Sequence, residues 1–228
     1  MPDHKTLENA LGITFADPTL LETALTHRSY LNEHRSVKAH NERLEFLGDA
    51  VLELVSTDLL YRRYPEEDEG RLTAYRAALV NTWSLAETAE GLSVGNYLRL
   101  SKGEAKDTGR ARQVILANTY EALIGAIYLD QGYDAANAFI TRTLAGKLDA
   151  IIAKRLWQDP KSRFQELAQE HESETPRYDT VKEIGPDHDK VFTVAAYIGN
   201  DEVARGEGRN KQEAEQAAAL AALDAKGW

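Results

Sequence analysis

The stretch NERLEFLGDAVLELVSTDLLYRRY, residues 41–64, decides how most of this chain folds. Its apolar residues recur at helical spacing and Pro65 follows, which predicts one long helix ending before the proline. At about 100° per residue, Glu42, Glu45 and Asp49 fall within a sector of roughly 60°. Leu44, Leu47, Val51 and Leu54 lie opposite and are expected to form the core-facing stripe. Gly48 sits inside the helix, where glycine costs about 1 kcal/mol relative to alanine. A glycine in such a place often permits another backbone to approach closely. Helices usually spread their charges or pair acids with bases four residues on. Three aligned acids are therefore either a solvated face or part of a site.

The pattern around this helix is helical from residue 5 to about 155. DPTLLETALTH begins with Asp17 as N-cap and Pro18 at the first helical position. EGRLTAYRAALVNTWSLAETAEGL, QVILANTYEALIGAIYLDQGY and DAANAFITRTLAGKLDAIIAKRL continue the helical pattern, with a Gly- and Lys-containing connection, LSKGEAKDTGRAR, after the first. No period-2 alternation interrupts them, so an all-α unit is predicted for residues 1–153. The character then changes. Asp159 and Pro160 open a short helix, and RYDTVKEIG, KVFTVAAYIG and EVARGEG read as strands. The last segment, NKQEAEQAAALAALDAK, is an Ala-rich helix in which Asn210 and Glu213 form a capping box. Residues 159–228 thus have the order α-β-β-β-α, and the fold class is mainly α with a small mixed module at the end.

Composition narrows the function. With 228 residues and no cysteine, a disulfide framework and thiolate chemistry are excluded. The beginning of the chain lacks a basic segment followed by an apolar one, and no apolar run reaches membrane-spanning length, so a cytoplasmic protein without a membrane partner is expected. The formal charge of -10 opposes a polyanionic partner, and residues 159–228 alone hold 9 Lys and Arg against 15 Asp and Glu. A nucleic-acid surface would have to be a local patch. The six histidines show no zinc pattern, and QEHESE is not a metalloprotease motif. GEGRNK lacks the spacing of a phosphate-binding P-loop, so no nucleotide cofactor is expected.

A second acidic position answers the first. Glu121 lies one turn after Asn118 in a strongly apolar helix whose Ala117, Ala122, Gly125 and Ala126 are small enough for a close helix contact. Charge in such surroundings is unfavourable unless paired or metal-bound. If the helices cross near Gly48 and Gly125, then Glu45, Asp49, Asn118 and Glu121 converge. Two carboxylates about 4 Å apart repel by roughly 4 kcal/mol at an effective dielectric near 20. All-oxygen ligands favour Mg²⁺ or Mn²⁺ over zinc. The alternative is that Glu121 pairs with Arg43 or Arg112.

NERLEFLGDAVL closely resembles the signature of the ribonuclease III family, and ILANTYEALIGAIYLDQGY resembles its second catalytic helix. LTHRSYLNE (residues 25–33) and YPEEDEGRLTAYRAALVN (residues 64–81) resemble further family segments, in the family's order. The resemblance implies a homodimeric endonuclease that cuts double-stranded RNA with Mg²⁺, for which Mn²⁺ substitutes, in the processing of ribosomal and other structured RNA precursors. Metal-assisted hydrolysis would leave 5′-phosphate and 3′-hydroxyl ends. By resemblance Glu45, Asp49 and Glu121 are metal-binding and catalytic carboxylates, Glu42 is an acid near the cleavage site, and Glu69 lies close to the dimer partner's site. Position 118 is usually Asp in the family; Asn118 keeps a ligand oxygen without its charge. The C-terminal module is similar to a double-stranded-RNA-binding domain. Such modules read A-form shape through 2′-hydroxyls and phosphates. By the same resemblance Gln165 is a minor-groove contact, and His188 in GPDHDK enters the next groove. Arg209, Asn210 and Lys211 form a phosphate site at a helix N-terminus. Gln212 replaces a usual Lys, which weakens this patch. The alternative is a catalytically weak or silent relative that binds duplex RNA; retention of Glu45, Asp49 and Glu121 favours the enzyme.

Overall fold

In a computed structural model of the chain, residues 4–186 and 190–228 are described. Their contacts divide into two compact units, Met1–Trp157 and Gln158–Trp228.

The first unit is built from α1 (His4–Leu11), α2 (Pro18–Ala24), α3 (Tyr30–Glu33), α4 (Glu42–Arg63), α5 (Glu69–Leu79), α6 (Thr82–Gly91) and α7 (Arg110–Ala153). Asp17 caps α2 as its sequence predicts, accepting from Thr19 N at 2.9 Å with Pro18 next in line. EGRLTAYRAALVNTWSLAETAEGL is two helices rather than one. Asn81 takes an extended conformation and accepts from Ser84 N at 2.9 Å, so it ends the approach from α5 and caps α6. The long α7 is interrupted at Gly132, whose φ of 83° lies in the region open to glycine. The break separates the two helical segments anticipated from the sequence.

Helices α4 and α7 share the most extensive contact in the unit and cross at its centre. Leu44, Val51, Leu52 and Val55 from α4 join Leu116, Tyr120, Leu123, Ile124 and Ile127 from α7 in one buried cluster. Two members of the expected stripe depart from it. Leu47 is only half-buried and Leu54 is 58% exposed, while Leu52 and Val55 are buried instead. The core side of α4 is rotated toward Gly48, because the close approach of α7 at that glycine sets which flank is covered. Phe46, at 81% exposure, and Tyr61, at 71%, stand on the uncovered flank.

In the second unit α8 (Pro160–Glu172) precedes β1 (Arg177–Ile184), β2 (Val191–Ile198) and β3 (Asp201–Gly208), and α9 (Lys211–Lys226) follows. The strands form one antiparallel sheet in the order β1-β2-β3. Val194, Ala196 and Ile198 point from the sheet into a core shared with Phe164 and Ala168 of α8 and with Ala214, Ala218 and Leu223 of α9. Alanines on α9 let it lie close to the sheet: a β-carbon at Gly206 of β3 would stand 2.7 Å from the carbonyl oxygen of Ala214. Among the described residues, no helix is long and apolar enough to cross a membrane.

Candidate metal centre and RNA-binding face

The α4–α7 crossing places the acids. Helix α4 carries Glu42, Glu45 and Asp49 in its first two turns, and α7 carries Asn118 and Glu121 on a face otherwise buried. Burial, with the charges of Glu42 and Asp49, raises the pKa of Glu45, and the polar side chain of Asn118 works against that rise. Glu121 is half-buried, and burial together with the charges of Asp49, Glu45 and Glu53 pushes its pKa up to about 7. The charged groups acting on Glu121 are thus all acidic. Arg112, one of its two anticipated partners, donates instead to the carbonyl of Gly95 at 2.9 Å.

Among the described residues, no three His, Asp or Glu side chains are close enough together to enclose a metal ion as they stand. Glu45, Asp49 and Glu121 still influence one another through their charges. Glu42 is engaged with basic groups: Arg28 Nη1 lies 3.3 Å and His40 Nδ1 3.9 Å from its carboxylate. Glu69 is outside this group. It is the exposed first residue of α5 and borders a groove with Tyr61, Leu72 and Arg76.

Glu53 is an acid of this neighbourhood that the aligned triplet does not include. It follows Asp49 by four residues on α4 and pairs with Arg76 Nε at 3.0 Å. Its spacing from Asp49 is a legible signal; its neighbour on α5 is not.

In the second unit Gln165 is exposed on α8, and Arg209, Asn210 and Lys211 are exposed at the start of α9. Asn210 caps α9 by accepting from Glu213 N at 2.8 Å, and Glu213 Oε2 accepts from Arg209 N at 3.2 Å. Lys211 Nζ stands 3.7 Å from Glu183 on β1. His188 lies outside the described residues.

Comparison with known proteins bears on both units. A family model described as Ribonuclease-III-like matches residues 17–148, and one described as Double-stranded RNA binding motif matches residues 160–225. A ribonuclease 3 from Natranaerobius thermophilus is 50% identical over 213 residues, which cover 93% of this chain and 92% of that protein. One from Roseiflexus sp. is 45% identical over 222 residues, 96% of this chain and 94% of that protein. The solved nuclease domain of ribonuclease III from Campylobacter jejuni aligns with a TM-score of 0.59 at 39% identity, covering 64% of this chain and 97% of the domain. A second structure of that domain, with the same TM-score and identity over 63% of this chain, concerns flexibility in its region involved in dimer formation. A helical nuclease unit followed by an α-β-β-β-α RNA-binding unit defines an endoribonuclease that acts on double-stranded RNA. This chain belongs to the ribonuclease III family, whose members use divalent metal.

Proposed function

We propose that Glu45, Asp49, Asn118 and Glu121 hold Mg²⁺, with Mn²⁺ able to replace it, and that the chain hydrolyses phosphodiesters of duplex RNA to 5′-phosphate and 3′-hydroxyl ends. The observation that carries this reading is the setting of Glu121, a half-buried carboxylate on which only acids act. A hard cation relieves that repulsion, and four oxygen-bearing side chains suit Mg²⁺ or Mn²⁺ rather than zinc. When bound, such an ion supplies hydroxide from water at neutral pH and stabilises the leaving oxygen.

The residues of the chain divide the remaining work. Glu45, Asp49 and Glu121 supply charge, and Asn118 supplies a neutral ligand oxygen and favours the ionised form of Glu45. Glu42, held by Arg28, stays at the edge of the site, where it faces the approach of the RNA backbone. In the second unit Gln165 meets the minor groove, while Arg209, Asn210 and Lys211 meet phosphate at the N-terminus of α9. We further propose a homodimer. Phe46, Leu54 and Tyr61 expose apolar surface along one helix, and staggered cuts in opposite strands call for two sites related by a two-fold axis. In that dimer Glu69 approaches the partner's site. Cytoplasmic processing of ribosomal and other structured RNA precursors is the corresponding role.

The test is incubation of the full chain with a long perfect RNA duplex, with Mg²⁺ and then with excess EDTA. Short duplexes with 5′-phosphates are expected, and only with the metal. Glu121→Gln and Asp49→Asn should each abolish cleavage while duplex binding persists. Uncut RNA that is nevertheless bound by the wild-type chain in Mg²⁺ would establish a silent binding relative.

A further inference from the structure

Glu53 stands one turn beyond Asp49 on α4, a step of four residues that advances about 6 Å along the axis on the same face. Helix α5 presents Arg76 to it, with Nε 3.0 Å from Glu53 Oε2. Arg76 is itself pinned. Its Nη1 donates to Thr57 Oγ1 at 2.8 Å, and Thr57 Oγ1 donates onward to the carbonyl oxygen of Glu53 at 2.7 Å. The hydroxyl hydrogen is therefore committed to the helix backbone, leaving the oxygen to accept from the guanidinium. Arg76 spans two residues of α4 four apart, a fit that a planar fork of donors provides and a lysine would not. The row of acids on α4 runs Glu45, Asp49, Glu53, and Glu53 joins the other two in acting on Glu121.

We infer that Arg76 is a positioning residue for the charge of the metal centre: pinned by Thr57, it holds Glu53 against α5 and offsets part of its charge, so that Glu53 adds less to the field of Glu45, Asp49 and Glu121 than an unpaired carboxylate would. The inference rests on the reading of those acids as a cation site. It assigns to an ion pair outside the ligand set the task of fixing how negative that set is. Loss of Arg76 alone makes the site more negative and strengthens its hold on a cation. Loss of the Glu53 charge alone leaves an unopposed guanidinium and weakens that hold. Removing both restores the original balance.

The test is a titration of Mn²⁺ into the full chain without RNA, with free Mn²⁺ followed by its electron paramagnetic resonance signal. Arg76→Met should tighten Mn²⁺ binding about fivefold and Glu53→Gln should weaken it about fivefold, as expected for one partly screened charge near the ion. The double variant should return to within about twofold of wild type. The Mg²⁺ concentration for half-maximal cleavage should move in the same directions. A purely structural pair gives a different pattern: both single variants would lower the melting temperature and leave Mn²⁺ affinity unchanged, or weaken it together. Either result overturns the inference. Glu121→Gln in the same titration separates the two readings. If it leaves Mn²⁺ binding unchanged, the cation site itself is wrong. If it weakens binding while the Arg76 and Glu53 variants do not move in opposite directions, only the role of Arg76 falls.

Discussion

Gly48 and Gly125 lie back to back where α4 crosses α7. A β-carbon on Gly48 would stand 2.9 Å from the amide nitrogen of Gly125, and one on Gly125 would stand 3.2 Å from that of Gly48. In both cases a carbonyl oxygen is nearer still, that of Glu121 in the first and that of Leu44 in the second. The obstacle is backbone, which cannot swing aside as a side chain can. These two glycines set the separation of the helices, and with it the distance between Asp49 and Glu121.

Replacing Gly48 by Ala therefore tests the crossing. Helix propensity favours the substitution by about 1 kcal/mol, whereas overpacking of a filled interior opposes it by about 1–3 kcal/mol, with a backbone clash at the upper end. The clash wins, and a net loss of about 2 kcal/mol is expected in urea unfolding of the full chain. Cleavage should fall further than the folded fraction does, because the two rows of acids are pushed apart. A variant with the wild-type midpoint and rate would show that the helices have slack at this point.

The setting of Glu121 gives metal-free stability a pH dependence. Its ordinary pKa of 4.5 rises to about 7 in the folded chain. Between those values the folded state holds a proton that the unfolded state has released, so stability falls as pH rises. The loss begins near the lower value, is complete near the upper one and grows no further above it. In EDTA, Glu121→Gln should accordingly raise the melting temperature over wild type at pH 8 and change it little at pH 4.5. An equal difference at both pH values would mean that Glu121 is not held among acids.

On the RNA-binding unit, Lys211 shares its position with an acid. Its Nζ lies 3.7 Å from Glu183, which also stands 3.7 Å from Lys190. Lys211→Glu should weaken binding about equally for unrelated duplexes and reduce the salt slope by about 1, since a phosphate contact carries little sequence information. Glu183→Gln should do the reverse, strengthening binding about threefold at low salt and less at high salt. Filter binding at two salt concentrations reads both. Weaker binding by Glu183→Gln would show that the acid orients Lys211 more than it neutralises it.

The parts of this protein that depend on local chemistry are legible in its sequence. The caps at Asp17, Asp159 and Asn210 each use a side chain to satisfy a nearby amide, and they mark helix starts without knowledge of the fold. Gly48 and Gly125 announce a close crossing because glycine inside a helix is otherwise unfavourable. Relationships between elements are less visible. Leu54 has the period of a core residue but lies on the flank that α7 leaves uncovered, and periodicity alone cannot say which neighbour covers a helix. Asn81 reads as one more position of a helical run, yet its side chain caps the next helix. Arg76 is an ordinary surface arginine until α5 folds beside α4 and sets it against Glu53 and Thr57.

Asn118 offers the sharpest probe of the proposed metal centre. Its amide favours the ionised form of the Glu45 carboxylate, against burial, Glu42 and Asp49. Asn118→Asp exchanges this amide for a second acid beside Glu45. Without metal the substitution replaces a favourable polar neighbour of Glu45 by a repulsive one, so the melting temperature in EDTA should fall by about 2–4 °C, the shift for roughly 1 kcal/mol in a chain of this size. With metal the added charge becomes a ligand charge, and the Mg²⁺ concentration for half-maximal cleavage should drop. The gain should be smaller with Mn²⁺, which binds such sites more tightly at the outset. The two effects have opposite signs and one cause, which no general loss of structure reproduces. If metal titrations of variant and wild type overlay while the melting temperature in EDTA is unchanged, residue 118 stands outside the metal's reach and the ligand set is Glu45, Asp49 and Glu121 alone.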